Sequence, residues 1–172
     1  MSKLIIIRGN SGSGKTTVAR ELRERLLENG SLKVALIEQD YFRRTVLKEK
    51  DSVSNTDFPE LLVQTVTLLL NKKYIIIVEG IFSKKKYEKY LLNLIDLNKD
   101  NNYVFYIDVS LEETFRRHVT KPNSDEFGKE EIRRWYLEKD YLKTNEEIII
   151  KENNSQKETV DLILKKVDLS SN

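Results

Sequence analysis

The 172-residue chain has no cysteine. That one absence removes disulfides, thiolate zinc sites and cysteine nucleophiles together. Nor is there an excess of one charge: 30 Lys and Arg stand against 28 Asp and Glu, a net charge of +2. A nucleic-acid partner is therefore neither required nor excluded. No apolar stretch approaches the roughly 20 residues of a membrane span. No signal-peptide pattern opens the chain, because "KLIII" runs straight into a glycine-rich turn. The single histidine, His118, sits at the edge of an apolar helical face and reads as structural. The expectation is a cytoplasmic protein of one domain, residues 1–172, off the membrane, a monomer or homodimer.

What is present is an alternation. Five short apolar runs, 3–8, 33–38, 74–79, 103–108 and 146–151, read as strands. They are continuous β-branched runs, which suits a parallel sheet covered on both faces. Helical stripes lie between them: Val18, Leu22 and Leu26; then Leu61, Leu62, Thr65, Leu68 and Leu69; then Tyr87, Tyr90, Leu91, Leu94 and Ile95. Two later helices open with the capping-box pairs Ser110–Glu113 and Ser155–Glu158. The first of these is expected to bury Leu111, Phe115 and Val119. The pattern predicts an α/β domain with right-handed crossovers. Residues 120–129, "TKPNSDEFGK", break it, and a charged helical stretch follows to about 142, with Trp135 as its packing anchor. Residues 120–142 are read as a lid over one edge.

"GNSGSGKT" (9–16) fits G-x-x-x-x-G-K-[ST], the phosphate-binding loop. Such a loop turns successive backbone N–H groups toward one centre, and the helix after it adds its positive end. With Gly at about 7% of average sequence, a chance match in a chain this long is roughly a one-in-two-hundred event. The expected nucleotide-binding set is Gly9, Asn10, Ser11, Gly12, Ser13, Gly14, Lys15, Thr16 and Thr17, with Lys15 on the β- and γ-phosphates and Thr16 on Mg²⁺. "NKDN" (98–101) differs from the guanine-reading N-K-x-D and precedes a strand, so it reads as a turn.

With "QDYFRR" after the second strand, "VEGIF" after the third and "DVSLEETFRRH" after the fourth, the chain resembles the small P-loop kinases of the nucleoside-monophosphate-kinase-like group. It is similar to uridine kinase in the serine-glycine loop and "EGI". It resembles the chloramphenicol phosphotransferase and zeta-toxin type in size and layout. It resembles the kinase half of polynucleotide kinase in the Asp40–Arg43 spacing. The resemblance implies a three-layer P-loop NTPase fold with strand order 2-3-1-4-5, a helical lid, and ATP with Mg²⁺ as cofactors.

Several side chains then become candidates. Asp40 is placed to accept a hydroxyl proton or meet the metal, the alternative being a cap for a helix beginning near Arg43. Glu79, at a strand end, is a candidate for Mg²⁺, catalysis or substrate contact, the alternative being a strand terminator. Arg43 and Arg44 suit an anionic group on the acceptor, or else a solvated helix face. Phe42 and Tyr41 suit stacking on a ring, or core packing. The resemblance implies that Arg116 or Arg117, with Arg117 preferred, lies over adenine or contacts phosphates. It also implies a lid cation, for which Lys121, Arg133 and Arg134 are candidates, although 120–132 contains no Arg. Lys84–Lys86 reads as solvated surface. The functional expectation is an ATP-dependent phosphotransferase acting on a small-molecule hydroxyl such as a nucleoside, sugar or antibiotic. Lys15, Asp40, Glu79 and Arg117 would be its catalytic residues. A polynucleotide 5′-hydroxyl kinase and a non-catalytic nucleotide-binding switch are the alternatives.

Overall fold

Five parallel strands form one sheet in the order β2-β3-β1-β4-β5, the order the resemblance implied. They are β1 (Lys3–Gly9), β2 (Val34–Glu38), β3 (Ile75–Gly80), β4 (Asn102–Asp108) and β5 (Glu147–Lys151). The computed structural model describes residues 2–28, 30–50, 56–119, 128–142, 144 and 147–169. The apolar runs do not alternate with polar residues because both faces of the sheet are covered. Leu4 and Ile6 join Val78 in one core cluster, while Ile5 and Ile7 join Ile77 in the other.

The first face is covered by α3 (Phe58–Asn71) and α4 (Lys84–Leu97). The second is covered by α1 (Lys15–Glu28) and α7 (Gln156–Lys166), which supply Val18, Leu22, Val160 and Ile163. Between β2 and α3 the chain makes a single helical turn, α2 (Gln39–Tyr41), and then a π-helical turn over Phe42–Val46. After β4 come α5 (Leu111–His118) and α6 (Lys129–Trp135). Lys99–Asn101 forms a short 3-10 turn before β4, as read for "NKDN". Among the described residues no helix is long and apolar enough to cross a membrane.

Several local expectations need correction. In α3 the buried stripe is Phe58, Leu62 and Val66, and Leu68 is exposed. In α5 the buried residues are Thr114 and His118, while Val119 is exposed. The cause is what α5 packs on. A Cβ at Gly12 would lie 3.1 Å from Thr114 Cγ2, so this helix rests on the backbone of the glycine loop, where a small side chain fits and a large apolar one does not. The Ser110–Glu113 box is half formed: Ser110 Oγ accepts from the Glu113 N–H, but Glu152 takes the Ser110 N–H at 2.7 Å. The Ser155–Glu158 box is complete.

The helix after the 128 region stops at Trp135 and not near 142, because Tyr136 turns extended (ψ 128°). Its anchor is buried Ile132, and Trp135 is 46% exposed. Lys121 and the rest of 120–127 lie outside the described residues.

Candidate functional site

The loop after β1 turns through positive φ at Gly9, Gly12 and Gly14 (154°, 81° and 93°) and leads directly into α1 at Lys15. At Gly9 the space and the angle both exclude a side chain, since a Cβ would stand 2.7 Å from the Ile107 carbonyl oxygen. The N–H groups of the first turn of α1 have no carbonyl partner within the helix, so the loop mouth is an anion site. Lys15 is buried and its Nζ donates to the loop's own Asn10 carbonyl at 3.2 Å. Asn10, Ser13 and Gly12 are buried, Ser11 and Gly14 half-buried, and Thr17 exposed on α1. The Ser13 hydroxyl is buried with no protein partner among the described residues.

Opposite Lys15 stands Glu79, the penultimate residue of β3 and only 3% exposed. The β1–β3 register sets Ile7 beside it, and the β2–β3 register sets Glu38 beside it. Thr16 Oγ1 donates to Glu79 Oε2 at 3.2 Å. Burial pushes the Glu79 carboxyl up from its ordinary value, and Lys15 and the Thr16 hydrogen bond oppose that. The nearby charges of Asp40 and Glu38 push it further up. A buried carboxylate crowded by two others, with a threonine hydroxyl on it and a lysine facing it, suits a divalent cation that phosphate oxygens help to hold. No cluster of three or more acidic or histidine ligands exists among the described residues, so the protein alone would supply only Thr16, Glu79 and neighbouring Asp40. The residues therefore fit Mg²⁺ carried in with a nucleotide and do not form a closed protein cage.

Asp40 lies within α2 and is exposed. Among the described residues it makes no hydrogen bond or ion pair. It does not act as a cap: α2 starts at Gln39 with Glu38 in the cap position. Glu38 is held by Arg20 through two bonds of 2.5 and 2.9 Å. Past Asp40 the π-helical turn is closed by Leu47 N–H to the Phe42 carbonyl (2.9 Å); such turns recur at functional sites. The ring of Phe42 packs toward Phe58, 6.3 Å between centroids, so Phe42 serves the core. Tyr41 is exposed. Arg43 Nε donates to Glu49 Oε2 at 3.1 Å, and the other Glu49 oxygen accepts the N–H groups of Asp57 and Phe58 at the start of α3. Arg44 is exposed and engaged.

Of the paired arginines of α5, the structure brings Arg117 to the loop and leaves Arg116 on the surface. Arg117 donates to the Ser13 carbonyl (2.9 Å), the Glu152 carbonyl (3.2 Å) and Glu113 Oε1 (2.6 Å). Its side chain lines a pocket of about 220 Å³ together with Gly14, Thr17, Ile107 and Gln156. Arg116 is 77% exposed and paired with Glu113. Hydrogen bonds from Arg116 and Arg117 hold the Glu113 carboxyl down at about 2. Arg133 lies over the Phe115 ring at 5.9 Å, and Arg134 is exposed on α6 with no hydrogen bond or ion pair among the described residues. Lys84 pairs with Glu88 at the surface.

The contacts that three residues make beneath the site carried little or no local signal, although Asn10 itself belongs to the loop motif. Arg8, 0% exposed, donates to Glu147 (2.8 Å), Asp140 (3.0 Å) and the Phe82 carbonyl (2.8 Å). Asn10 spans the peptide of Leu137, donating to its carbonyl and accepting from its N–H, both at 2.9 Å. Gln39 Oε1 accepts from Ile81 N–H at 2.9 Å. A charge ending an apolar strand was the one available hint for Arg8. The partners of Asn10 and Arg8 lie far along the chain.

A family model described as chromatin associated protein KTI12 matches residues 1–143. No curated protein matches. Among solved structures, the Mycobacterium tuberculosis APS kinase CysC in complex with AMPPNP and APS superposes with a TM-score of 0.76 at 18% identity, over 97% of this chain and 98% of that one. The Chaetomium thermophilum Kti12 in complex with ADP-AlF3 gives 0.66 at 21% identity, over 98% and 100%. A gluconokinase from Sinorhizobium meliloti gives 0.59 at 15% identity, over 96% and 91%. At these identities the likeness carries the fold: a P-loop kinase-type, nucleotide-binding fold, wider than the nucleoside-monophosphate-kinase-like group of the sequence reading.

Proposed function

The chain belongs to the KTI12 family, and from its kinase-type fold and the geometry of its loop we propose that it is a MgATP-dependent phosphoryl-transfer protein with Asp40 as the base. One observation carries the reading: buried Glu79, hydrogen-bonded to Thr16 and facing Lys15, with exposed Asp40 in α2 just past the end of neighbouring β2 and in no hydrogen bond or ion pair among the described residues. Bound MgATP would supply the γ-phosphoryl group, whose bond to ADP breaks as a bond to the attacking oxygen forms. Lys15 exchanges the Asn10 carbonyl for phosphate oxygens and neutralises their charge. Thr16 and Glu79 would hold the metal, which would neutralise charge on the phosphate oxygens. Arg117 fixes the loop at Ser13 and would offer its guanidinium face to the adenine ring. Asp40 takes the proton of the attacking hydroxyl and later releases it to water, which positioning and charge stabilisation make sufficient. The Kti12 structure binds ADP-AlF3, and AlF3 has the planar shape of a phosphoryl group in transfer.

The acceptor we propose is a small-molecule hydroxyl met at the α2 side of the loop, within the aqueous interior of the cell. A second reading, a nucleotide-driven switch in which water is the acceptor, is favoured by Arg43. That side chain is engaged by Glu49 and not presented alone to an anionic acceptor. ADP formation measured against nucleosides, sugars, aminoglycosides and 5′-hydroxyl oligonucleotides separates the two. Acceleration by one acceptor with incorporation of phosphate supports the kinase. A slow rate that no acceptor changes supports the switch. Retained ADP formation in Lys15→Ala would refute both.

A further inference from the structure

Asp40 makes no hydrogen bond or ion pair among the described residues, yet its chain neighbour is among the most firmly held side chains of the site. Gln39 is 3% exposed, and its Oε1 accepts from the N–H of Ile81 (2.9 Å) and of Phe82 (3.5 Å). Burial raises the Tyr87 hydroxyl, while Arg43 and a hydrogen bond from the same Gln39 amide oppose it. The place where Gln39 sits exists because residue 80 is glycine. A Cβ at Gly80 would stand 2.6 Å from both Gln39 Cβ and Gln39 Oε1, and 2.7 Å from the Phe82 ring. Gly80 needs no special backbone angle, since positive φ among glycines is confined to Gly9, Gly12 and Gly14. Its lack of a side chain is explained by the approach of Gln39.

The receiving loop is itself strained and tied down. Phe82 has φ +42°, unfavourable for a bulky residue, and its carbonyl is held by Arg8 at 2.8 Å. Gln39 precedes Asp40, and Gly80 follows Glu79. The contact thus joins the immediate neighbours of the two carboxylates.

We propose that Gln39 is a positioning residue: its amide, seated in the notch left by Gly80, fixes α2 against the end of β3 and holds Asp40 at a set distance from Glu79. The proposal rests on Asp40 acting as the base. Its test is a double-mutant cycle of Gln39→Met with Asp40→Asn, read as kcat and KM for ADP formation from MgATP with water as acceptor. Affinity for a fluorescent ATP analogue and melting temperature are read alongside. Methionine fills the same volume and cannot accept the Ile81 and Phe82 N–H groups. The expected result is a kcat loss of about 10–100-fold with KM for ATP within about twofold, and no further loss when Asp40 is already Asn. Should Gln39→Met not fold, Gly80→Ala reads the same displacement with Gln39 intact and should lower kcat alike. A wild-type kcat in either variant, or losses that multiply in the double mutant, overturns the positioning role and leaves Asp40 as the base. An Asp40→Asn protein with unchanged kcat overturns the base assignment and this inference with it.

Discussion

Replacing Glu79 by Gln should make the protein more stable and less active. The isostere keeps an oxygen to accept from Thr16 Oγ1 (3.2 Å in the wild type) and removes a charge from a site 3% exposed. Two effects oppose each other. Burial and the nearby Asp40 and Glu38 penalise the charge, whereas Lys15 and the Thr16 hydrogen bond favour it. The net direction is upward, so the penalty wins, and neutralising the group relieves it. The relief expected is about 1 kcal/mol, in the range of single stabilising changes that remove functional strain. For a chain of this size that is roughly 2–4 °C in melting temperature. The pH dependence follows from linkage. A carboxyl whose folded-state pKa is raised gives stability that is fully present below its unfolded value and is lost as pH rises through the folded one. Wild type and Glu79→Gln should therefore differ little at about pH 4 and diverge toward neutrality, the variant melting higher. Thermal melts followed by circular dichroism from pH 4 to 8 measure this. With Mg²⁺ and a nonhydrolysable ATP analogue the order should narrow or reverse, because only the wild type gains the full metal contact. A variant that melts below wild type at pH 7 without ligand, or a gap that does not change with pH, would refute the reasoning.

Arg8→Met should destabilise the fold by about 3–5 kcal/mol, since Glu147 and Asp140 would be left in or near the interior without their cation; urea unfolding reads it. Arg117→Ala should weaken binding of a fluorescent ATP analogue about tenfold with little change in melting temperature, because its partners are loop carbonyls and a surface carboxylate. The Arg117–Glu113 arrangement should persist above the ordinary Glu range and be lost as pH falls toward about 2, since Glu113 is depressed and its contribution is present only while it is ionised.

The strands and the loop were legible because their signals are local. A run such as Ile75–Val78 declares a covered strand, and "GNSGSGKT" declares its own turn chemistry. The strand order came from resemblance, not from periodicity. What stayed hidden depends on partners distant in the chain. Arg8 and Asp140 are 132 residues apart, and Asn10 reaches 127 residues to Leu137. The face of α5 was misread because apolar periodicity assumes an apolar partner, whereas Thr114 packs on the backbone at Gly12. The α6 helix was drawn too long because its charged pattern continues past Trp135, while hydrogen bonds at Leu137 and Tyr136 hold that stretch extended. In "EGIF" nothing local marks what Gly80 makes room for, because Gln39, which comes within 2.6 Å of where its Cβ would stand, lies 41 residues earlier in the chain.

The central claim is that MgATP bound on the glycine loop is attacked by an oxygen whose proton Asp40 removes. It is tested most directly by measuring ATP affinity and ADP formation side by side in wild type and Asp40→Asn. The account predicts affinity within about twofold and a rate lower by about 10²–10⁴-fold. Unchanged turnover at unchanged affinity would contradict it.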